Sequence, residues 1–216
     1  MAFCLVFAPL PEQTASGTDW PQFRGPEGNG ISQTLHAPLN WSAEQNIAWK
    51  AELPGSGWSS PVLVGGKIFL TSAVFGDGDS ATLNALCLDQ ASGKLLWNRE
   101  VFQPDVGEAK KMHRKNTAAS PTPLVGGGRL YVHFGHLGTA ALDLDGNILW
   151  KQDSHKYIPV HGTGGSPALA DGLLVFSADG KESPCVVALD AQNGAVRWKT
   201  ERNTTAKKNF SFSPRR

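Results

Sequence analysis

Two histidines at matching places in the chain are the residues best suited to carry chemistry. His113 comes before Ser120-Pro121, and His161 comes before Ser166-Pro167. Imidazole nitrogens bind metal ions and transfer protons near neutral pH, so a polar or metal-binding funnel is one interpretation. Two histidines without a carboxylate at a ligand spacing are too few to assign a metal, and hydrogen-bonded loop histidines are the simpler expectation.

The first of these histidines lies in a strongly basic stretch, which reads KKMHRKN over residues 110–116. Such a stretch could hold an anion or an acidic partner, whereas a solvated loop between two structural units is the simpler interpretation. Because both histidines precede equivalent motifs, we take His113, Lys115, Asn116 and His161 as a candidate interaction face.

The other reactive residue types show no site pattern. The three cysteines, Cys4, Cys87 and Cys185, are an odd number at long spacings, which predicts neither a disulfide framework nor a zinc site. Residues 75–80 (FGDGDS) lack the acid that closes a calcium loop, so a turn is expected. His133 and His136 fall in and just after a predicted strand, and we expect a strand-edge pair rather than ligands.

The elements that would position these residues come from a repeat. An Asp, a Gly and a Trp recur three times in the same order, with the Gly always four residues before the Trp. The copies are Asp89, Gly93 and Trp97; Asp143, Gly146 and Trp150; and Asp190, Gly194 and Trp198. A fourth tryptophan, Trp49, has the same flanks without the upstream half. The tryptophans are about 50 residues apart, a period that indicates a repeat architecture.

Each repeat unit predicts two β-hairpins. The Asp carboxylate can accept bonds from backbone N–H groups two residues on, and the Gly supplies the positive φ of a tight turn. Upstream of each copy, a Ser-Pro segment leads into a second hairpin with Gly-Gly or Asp-Gly at its tip. Two hairpins make a four-stranded antiparallel sheet, and such sheets at this period are propeller blades. The predicted fold is all-β, with about three blades of a larger ring of seven or eight and with Trp97, Trp150 and Trp198 mostly buried.

The motif Ala-Leu-Asp, then Gly, then Trp resembles the tryptophan-docking signature of pyrroloquinoline quinone (PQQ) type propellers, over roughly residues 20–214. The opener DWPQFRGP at residues 19–26 is similar to the start of a secreted subgroup. The family includes quinoprotein alcohol dehydrogenases and the non-catalytic propeller lipoprotein of the outer-membrane β-barrel assembly machinery. Its catalytic members have adjacent cysteines over the cofactor, a base Asp and calcium ligands, and no adjacent cysteines occur here.

The resemblance therefore implies a non-enzymatic, exported propeller in the periplasm that binds protein partners and needs no cofactor. One alternative is a fragment of a PQQ-dependent alcohol dehydrogenase that uses the quinone with calcium. A second alternative is a binder of a small ligand or a polysaccharide.

The net charge, the hydropathy and the order of segments give the remaining predictions. A net charge of +1 gives no strong field that would favour nucleic acid, and no apolar run is long enough to predict a transmembrane segment. Residues 1–18 are expected to be a signal-peptide remnant or a flexible terminus, residues 19–45 an irregular lead segment, and residues 46–216 the truncated N-terminal part of a propeller. Within it, residues 46–52 are predicted to form a lone outer strand, and Ser213-Pro214 to open a fourth unit.

Overall fold

The computed structural model describes residues 19–33, 37–77, 80–157, 159, 161–180 and 184–202, and in them three four-stranded antiparallel sheets, each with its strands in chain order. Blade 1 contains β1 (Val62–Val64), β2 (Lys67–Phe75), β3 (Ala81–Asp89) and β4 (Leu95–Phe102). Blade 2 contains β5 (Leu124–Gly126), β6 (Arg129–His133), β7 (Thr139–Asp143) and β8 (Ile148–Gln152). Blade 3 contains β9 (Ala168–Ala170), β10 (Leu173–Ala178), β11 (Cys185–Asp190) and β12 (Val196–Glu201). The prediction of an all-β fold with three blades is confirmed.

The innermost strands of successive blades are tied to one another by side chains near their starts. The backbone N–H of Ser60 donates to Oγ1 of Thr122 over 3.1 Å, and the N–H of Thr122 donates to Oγ of Ser166 over 2.9 Å. The Ser-Pro segments therefore link each blade to the next, since a hydroxyl of one inner strand satisfies a backbone donor of its neighbour.

Two apolar cores lie between the blades, one joining blades 1 and 2 and the other joining blades 2 and 3. In each sheet a small residue, Cys87, Ala141 or Ala188, pairs directly with the repeat tryptophan and is fully buried. The expectation that Cys87 is a small buried residue is confirmed, and its burial raises the pKa of its thiol to about 11.

Helical structure in the described residues is limited to one five-residue helix, α1 (Val106–Lys110), and a short 3₁₀ turn (Gly135–Leu137). The helix lies in the connection between β4 and β5 and begins where a carboxylate oxygen of Asp105 accepts the N–H of Glu108. Among the described residues, no helix is long and apolar enough to cross a membrane.

Two strand-level predictions are wrong. Residues 46–52 form no strand, because no other strand in the described part of the chain lies beside them to share a ladder. His133 and His136 are not a strand-edge pair: His133 is fully buried in β6 with Nδ1 2.8 Å from Oγ1 of Thr139, and His136 lies in the 3₁₀ turn.

The lead segment bonds to the first strands of two blades. The N–H of Trp20 donates to the carbonyl of Leu63 in β1, and the carbonyl of Trp20 accepts from the N–H of Leu63. The carbonyl of Pro21 accepts from the N–H of Val125 in β5. The domain boundary at residues 45 and 46 stays a prediction. The signal remnant at residues 1–18 and the start of a fourth unit at Ser213-Pro214 lie outside the described residues.

Candidate functional site

The repeat tryptophans do not pack on the glycine of their own motif but on that of the next one. Each indole lies against the glycine of the following motif: Trp49 on Gly93, Trp97 on Gly146 and Trp150 on Gly194. Each indole Nε1–H donates to the carbonyl one residue after the motif Asp, at Gln90, Leu144 and Ala191, over 3.0, 3.3 and 3.1 Å. A Cβ on any of these glycines would overlap the ring or be forced into tight contact with it, so the motif encodes contacts between blades.

The three motif carboxylates hold the turns that carry these glycines. The Asp143 carboxylate accepts the side-chain amide of Asn147 and the backbone N–H groups of Asn147 and Asp145. An oxygen of Asp190 accepts the backbone N–H of Gln192. An oxygen of Asp89 accepts hydrogen bonds from the hydroxyl and the backbone N–H of Ser92. These hydrogen bonds lower the pKa of all three carboxyl groups, because they stabilise the ionised form.

How far each motif tryptophan is buried depends on whether a turn of the next blade covers its ring. Trp150 is 8% exposed and Trp97 is half-buried, whereas Trp198 is 40% exposed. The prediction that Trp198 is mostly buried is wrong, because no motif turn among the described residues lies over its ring.

The candidate interaction face is brought together by two loops that precede blades 2 and 3. The rings of His113 and His161 stand edge to face with centroids 5.0 Å apart. The carbonyl of His161 accepts from Nδ2 of Asn116 over 2.8 Å and from the N–H of His113 over 3.4 Å. Nδ1 of His113 accepts the N–H of Lys115. The two loops therefore form one hydrogen-bonded unit.

A glycine lets these loops approach each other closely. Gly162 has φ +87°, and a Cβ there would stand 2.9 Å from Cβ of Met112 and 3.2 Å from Cβ of Asn116. Any side chain at this position would push the loops apart and strain the backbone.

The face presents cations to solvent. Lys111, Arg114 and Lys115 are exposed, whereas His113, Asn116 and His161 are half-buried. In the described part of the chain, no three His, Cys, Asp or Glu side chains are grouped so that they could hold a metal ion. What this arrangement can do is attract negatively charged groups to a preformed surface.

A second feature, between blades 2 and 3, was not found from the sequence. His136, His155, Tyr157 and Lys199 line a cavity of about 450 Å³. Burial is the main cause of the lowered pKa values of both histidines and raises the pKa of Tyr157 to about 12. The only sequence signal was the polar run at residues 153–156 (DSHK), which follows an outer strand.

A family model described as "Outer membrane protein assembly factor BamB" matches residues 41–213. No curated protein matches the chain.

Solved structures match over parts of longer chains. The quinohemoprotein alcohol dehydrogenase of Comamonas testosteroni is 16% identical, with a TM-score of 0.56 over 85% of this chain and 27% of that one. The quinohemoprotein alcohol dehydrogenase ADHIIG of Pseudomonas putida HK5 is 22% identical, with a TM-score of 0.50 over 71% of this chain and 22% of that one. BamB of Moraxella catarrhalis is 18% identical, with a TM-score of only 0.36 over 61% of this chain and 36% of that one. The chain thus spans about a quarter of the length of the dehydrogenases it matches, and likeness at this identity shows the fold alone.

Proposed function

The chain belongs to the PQQ-repeat propeller family described as outer membrane protein assembly factor BamB, and from this we propose that it is an exported, non-enzymatic propeller that binds a protein partner. The site of binding is the loop face of His113, Lys115, Asn116 and His161. The partner contributes an acidic segment, and the compartment is the periplasm.

The observation that carries the proposal is the fixed geometry of this basic face. The carbonyl of His161 and the side chain of Asn116 join loops from two successive blades, so the backbone that carries Arg114 and Lys115 is already ordered. A preformed surface binds with a smaller loss of conformational entropy than a mobile loop. Exposed cations on it raise the association rate with an acidic partner.

One feature supports the proposal that the chain holds no quinone. Cys87 and Cys185 lie in different blades, and both are buried free thiols rather than an adjacent pair. The described residues therefore offer no adjacent cysteines to a quinone, and no catalytic step is assigned.

The partner test uses a photo-crosslinking amino acid in place of Lys115, with Lys94 as the control. Lys94 is also an exposed lysine and lies in the turn between β3 and β4. We expect one discrete crosslinked partner from position 115 in cells and none from position 94. The crosslink should disappear in a Lys111→Glu, Arg114→Glu double variant and persist in a Lys50→Glu, Lys94→Glu double variant. Equal crosslinking from both positions would refute the assigned face.

The compartment and the absence of catalysis need separate measurements. Cell fractionation should place the protein in the periplasmic fraction. Titration with PQQ and calcium should give no saturable binding, and alcohols should give no dye reduction. Stoichiometric quinone binding with alcohol-dependent reduction would instead support the dehydrogenase alternative.

A further inference from the structure

The cavity between blades 2 and 3 has an apolar floor and a charged rim. Its floor is formed by Ala178, Cys185 and Val187 on the face of blade 3 that packs against blade 2. Ala178 pairs with Cys185, and Val187 pairs with Lys199 in the next strand. The lysine therefore stands beside the apolar floor on the outermost strand, at the cavity rim.

The opposite wall comes from blade 2 and the segment that follows it. His136 from the 3₁₀ turn and His155 and Tyr157 from the stretch after β8 line this side. The hydroxyl of Tyr157 is 3.1 Å from Oγ1 of Thr163, and the His136 ring stands edge to face on the Tyr157 ring at 5.8 Å. These contacts fix the wall independently of any bound molecule.

The corresponding place between blades 1 and 2 is filled. There the connection after the outer strand forms α1, which buries Val106 and Ala109 in the inter-blade core. Phe102 and Phe134 pack edge to face in the same core, with centroids 6.0 Å apart. The connection after blade 2 carries Ser154, His155 and Lys156 instead, so the cavity is not a general consequence of the repeat.

The same contrast holds for the lysine that follows the repeat tryptophan. In blade 2, Nζ of Lys151 donates to the carbonyl of Val101 over 2.9 Å and lies 5.1 Å from the Phe102 ring centroid. In blade 3, the ammonium group of Lys199 makes no hydrogen bond or ion pair with any described residue, and the side chain lines the cavity. The ammonium group of Lys156 is a second one without such a partner, and among the described residues that line the cavity Glu108 carries the one carboxylate.

Two imidazole nitrogens add hydrogen-bonding capacity that the described residues leave unused. Nδ1 of His136 and Nε2 of His155 are buried and have no hydrogen-bond partner there. Buried polar atoms of native proteins are normally paired. Because no three metal-ligating side chains are grouped in the described residues, an organic ligand fits these groups better than a metal ion.

We propose that this cavity binds a small organic carboxylate, with the anion between Lys156 and Lys199 and a short alkyl chain on Ala178 and Val187. The described lining carries two ammonium groups and one carboxylate. Two acids lie near it: Asp179, which is ion-paired with Arg202, and Glu201, which pairs with Cys185 in the sheet. Among the lining groups the positive charges outnumber the negative one, which favours an anion. The apolar floor favours an alkyl chain over a fully hydrated inorganic ion. The volume lies within the usual range for small-molecule sites.

The test is titration of the complete chain with butyrate, followed by calorimetry and by NMR of the histidine ring protons. We expect saturable binding that shifts the ring signals of His136 and His155. Butyramide, which has nearly the same shape without the charge, should bind at least about tenfold more weakly, and so should inorganic phosphate.

Variants locate the site. Lys199→Met should weaken butyrate binding about tenfold or more, and Lys199→Arg should restore most of it. Lys151→Met, the matched change in blade 2, should leave binding unchanged. Failure of butyrate to bind, equal binding of butyramide or phosphate, or unchanged affinity in Lys199→Met would each overturn the proposal. Because Lys199 is exposed, its replacement is compatible with folding.

Discussion

The indole of Trp150 in blade 2 lies against Gly194 in blade 3, where a Cβ on the glycine would stand 2.6 Å from Cε3 of the ring. The indole N–H is satisfied by the Ala191 carbonyl of the same turn. One tryptophan and one turn thus join two blades through both packing and hydrogen bonding.

Gly194→Ala is expected to destabilise the protein strongly. The left-handed backbone, φ +75°, costs an alanine about 1–2 kcal/mol, and overlap with the Trp150 ring adds about 1–3 kcal/mol. Gly172→Ala is the control, because Gly172 has φ +74° and nothing within 4 Å of its added Cβ. Urea unfolding should show the first variant losing clearly more than the second, and equal losses would show that Trp150 does not require the glycine.

Trp150→Ala should cost about 3–5 kcal/mol in the free energy of unfolding, the usual range for a large buried aromatic residue. Trp198→Ala should cost roughly 1 kcal/mol or less, because that ring is 40% exposed. Thermal or denaturant unfolding measures both. Similar losses would mean that Trp198 is covered in solution.

Stability should fall as the pH drops from 7.5 to 5.5. Burial is the main cause of the lowered pKa of both His136 and His155. At His136 the carboxylate of Glu108 opposes this effect, whereas the ammonium groups of Lys156 and Lys111 lower the pKa further. At His155 the ammonium group of Lys199 lowers the pKa further. The unfolded histidines take up protons near pH 6.5 and the folded ones only at lower pH, so in this window the unfolded state binds more protons. The stabilisation that the neutral histidines contribute is therefore present above about pH 6.5 and is lost as the pH falls through their lower folded-state pKa values.

A His136→Gln, His155→Gln double variant isolates this pH effect. Its unfolding free energy should change less between pH 7.5 and 5.5 than that of the parent protein. The motif carboxylates do not interfere, because their lowered pKa values keep them ionised in this window. An unchanged pH slope in the double variant would contradict the assignment.

The buried thiols of Cys87 and Cys185 should react slowly with iodoacetamide in the folded protein at pH 8. Burial raises the pKa of both thiols, to about 11 at Cys87, and only the thiolate is nucleophilic. In a Cys4→Ser background, mass spectrometry should show little modification until denaturant is added. Rapid labelling in the native state would show that the sheets open around these residues.

The sequence by itself determined the unit of this fold. Asp143 and Gly146 act within one turn of a few residues, so a carboxylate acceptor followed by a residue with positive φ specifies that turn locally. The alternation of such turns with Ser-Pro hairpins was enough to predict three four-stranded blades. The sequence also identified His113 and His161 as occupants of equivalent loops.

Only the tertiary structure decided which residues meet across blades. Trp150 lies on Gly194, not on Gly146 of its own motif. The sequence pattern could not predict this contact, because the two residues are far apart in the chain. The same holds for Trp198, whose burial depends on a neighbouring turn rather than on its own residue type. The cavity near His155 also arises this way: local patterns specify turns and strands, whereas packing between blades decides whether the space between them is filled by apolar side chains or left open.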